Sequence, residues 1–189
     1  MRLHRTITAD RPLLVVALEE EAAHLHVSDL PVLVTGAGKV NAAVALASTL
    51  GSASPSEVIN LGTAGALRPG ITGTHLITTV TQHDLDDAAL FALTGLHFGE
   101  PVHLATEGKV LTTGDDFIAD DERRRFLAEH ADLVDMEGYA VARVCQALSV
   151  PVRLVKQVSD SADSSAERSW RQTVDECAEA LGAWVRAHL

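Results

Sequence analysis

Two short segments of this chain set carboxylates where they can act on a polar small molecule. The first is Val134-Asp135-Met136-Glu137-Gly138; the second, about twenty residues later, is Val158-Ser159-Asp160-Ser161-Ala162-Asp163. Each reads as an apolar strand ending in an acid at a sheet edge, where open α/β folds place their ligands. Leu133-Val134 leads into Met136-Glu137, which opens the helical pattern Ala140, Val141, Val144, Cys145, Leu148. Val152 to Val158 is a β-branched run that stops at Ser159-Asp160. Acids presented this way suit a molecule with hydroxyls at one end and a protonatable heterocycle at the other, and a nucleoside has that form.

Glu137 at a helix start is favoured by the helix dipole. There it can be a simple first-turn acid, or it can accept two charge-assisted hydrogen bonds from a ribose diol. Asp160 follows a very apolar strand, so partial desolvation raises its pKa and suits it to general acid catalysis. The alternative is an Asp that caps the turn through Ser159-Asp160-Ser161. Glu19-Glu20-Glu21 opens another helix, and such runs are usually solvated first-turn acids. Thr35-Gly36-Ala37-Gly38-Lys39-Val40 is a strand, glycine turn and helix start, able to hold an anion or hydroxyl on free N–H groups or to be only a tight turn. Asn41 excludes a dinucleotide fingerprint, and the glycine spacing excludes a Walker A loop. Asn60-Leu61-Gly62-Thr63-Ala64-Gly65 is a second glycine-bearing strand end. Its small residues let a ligand approach the backbone, and the Thr63 hydroxyl suits a water or a sugar oxygen.

The elements that must carry these residues follow from hydrophobic periodicity. Strands are expected over 12–17, 31–35, 57–61, 75–81, 109–113, 133–134 and 152–158. Helices are expected over 19–26, 40–50, 119–130, from 137 through 148, and over 170–188. The last has Val174, Cys177, Leu181, Trp184 and Val185 on one stripe. Strands and helices largely alternate, so the expected class is α/β: three layers, α/β/α, around a central mixed sheet. No repeat or linker interrupts the 189 residues, and one domain over 1–189 is expected. The stretch 82–108 has the least pattern and is a candidate rim of the site.

Composition narrows the partners. A formal net charge of −11 argues against binding nucleic-acid backbone, which needs clustered Lys and Arg. No apolar run reaches the roughly 20 residues that span a bilayer, and Met1 to Arg11 lacks the apolar core of a signal peptide. Two cysteines, Cys145 and Cys177, make no disulfide framework, and a cytoplasmic location is expected. Nine scattered histidines without a paired helical spacing imply no metal, and no cofactor motif is present. With seven aromatic residues in all, each is a notable candidate for stacking on a base.

Taken in order, these motifs resemble the nucleoside phosphorylase and nucleosidase superfamily, and within it the 5′-methylthioadenosine/S-adenosylhomocysteine nucleosidases. The matching segments are Ala17-Leu18-Glu19-Glu20-Glu21, Thr35 to Val40, Asn60 to Gly65, Thr113-Gly114-Asp115-Asp116-Phe117-Ile118, Asp135-Met136-Glu137-Gly138 and Val158 to Asp163. Any one is weak, but six in register over nearly the whole chain are specific. The resemblance implies that Glu21 positions an attacking water, with Thr63 near it and Ala64 and Gly65 beside the substrate. It places Asp135, Met136 and Glu137 at the ribose site, Phe117 against the base and Ile118 at the base edge. Asp160 is implied as the acid that protonates the purine, with Ser159 orienting its carboxyl group, and Lys156 as a neighbour of the water.

Hydrolysis is expected rather than phosphorolysis. Where some phosphorylases of the superfamily carry a phosphate-binding arginine before the glycine motif, this chain has Asn60. Glu21 would repel a phosphate at ~4 Å by about 4 kcal/mol at an effective dielectric near 20. The sequence departs from the family at three places. Lys156 stands where nucleosidases commonly carry arginine, and the two are not equivalent donors. The segment between His83 and Val110 is shorter than usual, and the region after Asp163 is trimmed, without an aromatic-rich lid helix. The implied function is a purine nucleoside N-ribohydrolase acting on methylthioadenosine or S-adenosylhomocysteine. A futalosine-hydrolase-like enzyme and a non-catalytic nucleoside-binding protein of the same fold remain alternatives. A homodimer is expected, because the family commonly closes the 5′ pocket with a neighbouring subunit.

Overall fold

The computed structural model describes residues 1–25 and 29–189. The helix expected over 19–26 is helical only to Ala22, with residues 23–25 in a turn, and residue 26 lies outside the described residues. Among the described residues nine strands form one mixed sheet: β1 (Arg2–His4), β2 (Leu13–Val16), β3 (Val32–Val34), β4 (Val58–Ala66), β5 (Thr74–Gln82), β6 (Val102–His103), β7 (Lys109–Thr113), β8 (Leu133–Asp135) and β9 (Val152–Asp160). Among the described residues six helices pack around it: α1 (Glu19–Ala22), α2 (Lys39–Leu50), α3 (Asp87–Thr94), α4 (Asp121–Ala128), α5 (Gly138–Leu148) and α6 (Ala166–His188).

β2 shows why a central strand reads as an unbroken apolar run. Leu14 and Val16 face one cluster with Ile59, Leu61, Val155, Leu181 and Val185, under α1 and α6. Leu13 and Val15 face the opposite cluster with Leu46, Val58, Val141 and Cys145, under α2 and α5. Alternating side chains buried on both faces leave no position for a polar residue. Helices on both faces of a mixed sheet are the expected three-layer arrangement.

The sheet also closes on itself. β4 pairs antiparallel with β8, β8 parallel with β7, β7 parallel with β5, β5 antiparallel with β9, and β9 parallel with β4. The ring is filled and flanked by Ala64, Ala66, Ile77, Val80, Leu111, Leu133, Tyr139 and Leu154. β2, β3 and β1 extend from β4 as an open wing. Closure joins strands far apart in sequence, and no local pattern announces it.

Three elements were not apparent in the sequence: β1, β6 and α3. β1 and β6 have only three and two residues, too short for period-two alternation to register. α3 has no buried residue, so it lacks the apolar stripe by which amphipathic helices are recognised, although Asp86 caps it by accepting from Ala89 N–H. The glycine segment after Leu61, expected as a strand end, remains within β4 as far as Ala66. α6 begins one turn before its expected start.

Candidate active site

The pairing of β4 with β2, β8 and β9 brings together the exit of β2, the glycine-bearing half of β4, the turn after β8 and the end of β9. The loops after β3 and β7 and the start of α6 add Ala37, Phe117 and Trp170. They enclose a cavity of about 220 Å³, lined by Glu21, Thr63, Ala64, Gly65, Phe117, Met136, Glu137, Ser159 and Asp160, with Ala17, Leu18, Ala37, Val134 and Trp170. Nine of the twelve expected site residues therefore share one wall. Ile118 and Asp135 reach only an adjoining hollow of about 30 Å³. Lys156 lines neither.

Glu21 is 4% exposed, unlike its two acidic neighbours. Its Oε2 accepts the N–H groups of Ala17 at 3.1 Å and Leu18 at 3.2 Å, closing the first turn of α1. Its Oε1 accepts Thr63 N–H at 2.8 Å and Thr63 Oγ1–H at 3.0 Å. The first-turn acid is thus turned inward across the sheet. A Cβ on Gly62 would meet Glu21 Oε1 at 3.3 Å and Lys156 Nζ at 3.2 Å, so glycine there lets both charges approach the strand.

Glu137 is the N-cap residue of α5, and its Oε1 accepts Gly38 N–H at 2.7 Å. Gly38 in turn caps α2 with φ +91°, a conformation costly to any residue with a Cβ. The donor that the start of α2 presents is therefore taken up by the protein's own acid. Among the described residues Glu137 Oε2 has no protein donor, which leaves it free to bind a hydroxyl. Burial first, then the Asp135 charge, pushes the Glu137 pKa up to about 8, against the opposing pull of Lys156 and Gly38 N–H.

Asp160 reaches the cavity through an irregularity in the sheet. β9 pairs Val158 with Ala64 and Asp160 with Gly65, so Ser159 is an extra residue, a β-bulge. A regular strand would send Ser159 and Asp160 to opposite faces; the bulge lets both line the cavity. Ser159 Oγ donates to Asp160 Oδ2 at 2.7 Å, and Ala162 N–H donates to Oδ1 at 2.8 Å. Burial raises the Asp160 pKa, although both donors oppose the shift. The absent side chain of Gly65 makes the room, since a Cβ there would lie 3.0 Å from Asp160 Oδ1.

Asp135 and Lys156 form a buried pair behind this wall. Lys156 Nζ lies 2.9 Å from Asp135 Oδ2, and each side chain is 1% exposed. Asp135 Oδ1 accepts Thr113 Oγ1–H at 2.6 Å, and Oδ2 also accepts Gly138 N–H at 2.9 Å. Its oxygens are occupied by the protein, which ties β7, β9 and the start of α5 together. Burial alone would lower the Lys156 pKa; the charges of Asp135, Glu137 and Glu21 outweigh it and hold the pKa above the ordinary lysine value.

Phe117 stands at the cavity mouth, 44% exposed, while Ile118 is buried beside Val134 and Ala162. The loop that carries them is tied to the start of α2: Asp115 Oδ1 accepts Lys39 N–H at 2.8 Å, and Asp84 accepts both Asp115 N–H and the Lys39 ammonium. No described residue from 82 to 108 lines the cavity of this chain. Sequence reasoning missed Trp170, whose indole lines the cavity and donates to Thr63 Oγ1 at 3.0 Å. A signal was present: Trp170 continues the stripe Val174, Cys177, Leu181 by one turn toward the sheet.

A family model for the phosphorylase superfamily matches residues 21–106 and 83–189. The 5′-methylthioadenosine/S-adenosylhomocysteine nucleosidase of Staphylococcus aureus strain JH9 is 30% identical, covering 84% of this chain and 81% of its own. The aminodeoxyfutalosine nucleosidase of Helicobacter pylori strain J99 is 26% identical, covering 86% and 80%. In fold, the chain resembles a futalosine hydrolase mutant of Helicobacter pylori strain 26695 with a TM-score of 0.84, at 21% identity and with 94% and 97% of the two chains covered.

Proposed function

The chain belongs to the phosphorylase superfamily, and from that premise we propose that it is a purine nucleoside N-ribohydrolase, acting on 5′-substituted nucleosides such as methylthioadenosine and S-adenosylhomocysteine. The observation that carries this reading is the meeting of Glu21, Glu137 and Asp160 on one cavity wall whose described lining has no Lys or Arg. A lining with three acids and no Lys or Arg among its described residues offers a phosphate no cationic partner, which favours water as the nucleophile. The name of the 30%-identical relative supports the same substrate class.

Cleavage of an N-glycosidic bond builds positive charge on the ribose and negative charge on the base. Asp160, protonated more readily because it is buried, delivers a proton to the departing purine, with Ser159 fixing the carboxyl group. Glu137 receives the ribose hydroxyls on Oε2. Its interaction with those hydroxyls strengthens as cationic charge develops on the sugar, so the contact is worth more in the transition state. Met136 packs beneath the sugar, Phe117 stacks on the base and Ile118 meets its edge. Glu21 positions the water through Thr63. Asp135 and Lys156 act from behind, keeping the start of α5, and with it Glu137, in place.

The aminodeoxyfutalosine nucleosidase relative supports a second reading, with the same acids serving a different 5′ group. Chromatographic detection of free base from methylthioadenosine, S-adenosylhomocysteine, adenosine, inosine and futalosine, with and without phosphate, separates the cases. Release without phosphate is expected. Release only with phosphate would overturn hydrolysis, and no release from any of the panel would favour a nucleoside-binding protein.

The working unit we propose is a homodimer of one-domain chains in the cytoplasm. Phe91, Leu93, Leu96 and Phe98, on and after α3, are exposed apolar residues in the segment 82–108, and burying them against a second copy would remove that surface from water. A monomer by light scattering at working concentration would refute the dimer. Buried, unpaired Cys145 and Cys177 fit a reducing compartment. No helix among the described residues is long and apolar enough to cross a membrane.

A further inference from the structure

We infer that Trp170 is a positioning residue that fixes the Thr63 hydroxyl as the link between the attacking water and Glu21; this rests on the nucleosidase reading above. An indole N–H can only donate, whereas a hydroxyl has one proton and two acceptor sites. Trp170 Nε1–H, 3.0 Å from Thr63 Oγ1, takes one acceptor site. The Thr63 proton is then directed to Glu21 Oε1, 3.0 Å away. One acceptor site remains on Oγ1.

The Glu21 carboxylate is already saturated. Of its roughly four acceptor sites, two are taken by Ala17 and Leu18 N–H on Oε2 and two by Thr63 on Oε1. A water entering the cavity therefore meets this network at the vacant site on Thr63 Oγ1. As the water oxygen bonds to the anomeric carbon, one water O–H bond breaks and its proton passes to Thr63 Oγ1. The original Thr63 proton passes to Glu21 Oε1. The glycosidic C–N electron pair leaves with the base, which takes its proton from Asp160. Without Trp170 the hydroxyl is free to rotate, and the link is lost for part of the time.

Trp170→Phe keeps the aromatic wall and removes only the donor. The expected result is a fall of about tenfold in kcat, the net worth of one hydrogen bond, with KM within twofold. In a Thr63→Val background the same change is expected to cost nothing more, as a double-mutant cycle requires when one residue acts through the other. Base release is followed for wild type, both single variants and the double variant. A rise in KM at constant kcat, or an equal cost in both backgrounds, would overturn the inference while leaving the nucleosidase reading intact. No release by wild type would overturn both. A readout independent of activity is the Trp170 indole proton in NMR spectra, identified by its loss in Trp170→Phe. It is expected to shift and exchange faster in Thr63→Val, and an unchanged resonance would overturn the inference.

Discussion

Asp160→Asn removes the proposed catalytic proton while preserving nearly the whole shape of the site. The asparagine carbonyl can accept Ala162 N–H in place of Oδ1, 2.8 Å away, and its amide can donate to Ser159 Oγ in place of the 2.7 Å bond. Ser159 Oγ lies 3.4 Å from Ala64 O and can turn its proton there. The fold should therefore survive. General acid catalysis contributes about 10²–10⁴-fold, equivalent to roughly 2.7–5.4 kcal/mol of barrier, and kcat is expected to fall by that factor. Wild-type kcat should decline as pH rises through the Asp160 pKa, because the ionised form has no proton to give; this limb should vanish in the variant. Stability should move the other way. Burial holds the folded pKa of Asp160 above its unfolded value, so its contribution is present below the unfolded pKa and lost as pH rises through the folded one. At neutral pH the neutral asparagine avoids that loss and should melt no lower than wild type. Turnover of Asp160→Asn within threefold of wild type, by base release at saturating substrate, would refute the acid assignment.

Four further outcomes follow from the same geometry. Glu137 has a folded pKa of about 8 against an ordinary 4.5, so wild-type stability should fall as pH rises from about 4.5 to about 8; thermal melts of Glu137→Gln should show a flatter profile, and its kcat should drop at least tenfold. Lys156→Met leaves Asp135 buried without its cation and should cost about 3–5 kcal/mol in urea titrations; a loss under 1 kcal/mol would mean that the pair matters little. Gly65→Ala drives a methyl against Asp160 Oδ1 and Ala162 Cβ, both 3.0 Å from the added carbon. It should lower kcat at least tenfold and stability by about 1–3 kcal/mol, whereas wild-type kinetics would show that the bulge yields freely. Leu61→Ala, at a fully buried β4 position away from the cavity, should cost about 2–5 kcal/mol in the same titration with KM unchanged.

The chain order alone determined the alternation of strands and helices and the identity of the acids. Hydrophobic periodicity is local, and β2 is buried on both faces within four consecutive residues. The glycine turn at Gly38 was equally legible, because its φ of +91° strains any residue with a Cβ, whereas the crowding at Gly65 comes from Asp160 and Ala162 and so depends on tertiary pairing. The tertiary structure decided how these pieces act. β9 could be read as a strand, but its pairing with both β4 and β5 joins residues scores of positions apart, and the ring closes only through that pairing. The bulge that turns Ser159 and Asp160 to one side is set by register against β4, not by their own types. Glu21, Glu19 and Glu20 are the same residue type in consecutive positions. Only the approach of Ala17, Leu18 and Thr63 donors lets the third be buried while its neighbours stay in solvent. Likewise, Lys156 sits behind the cavity because Asp135 draws it there, and Trp170 reaches Thr63 across 107 residues of chain. Charge and hydrogen bonding depend on distances in space, and those become defined only when distant strands pair.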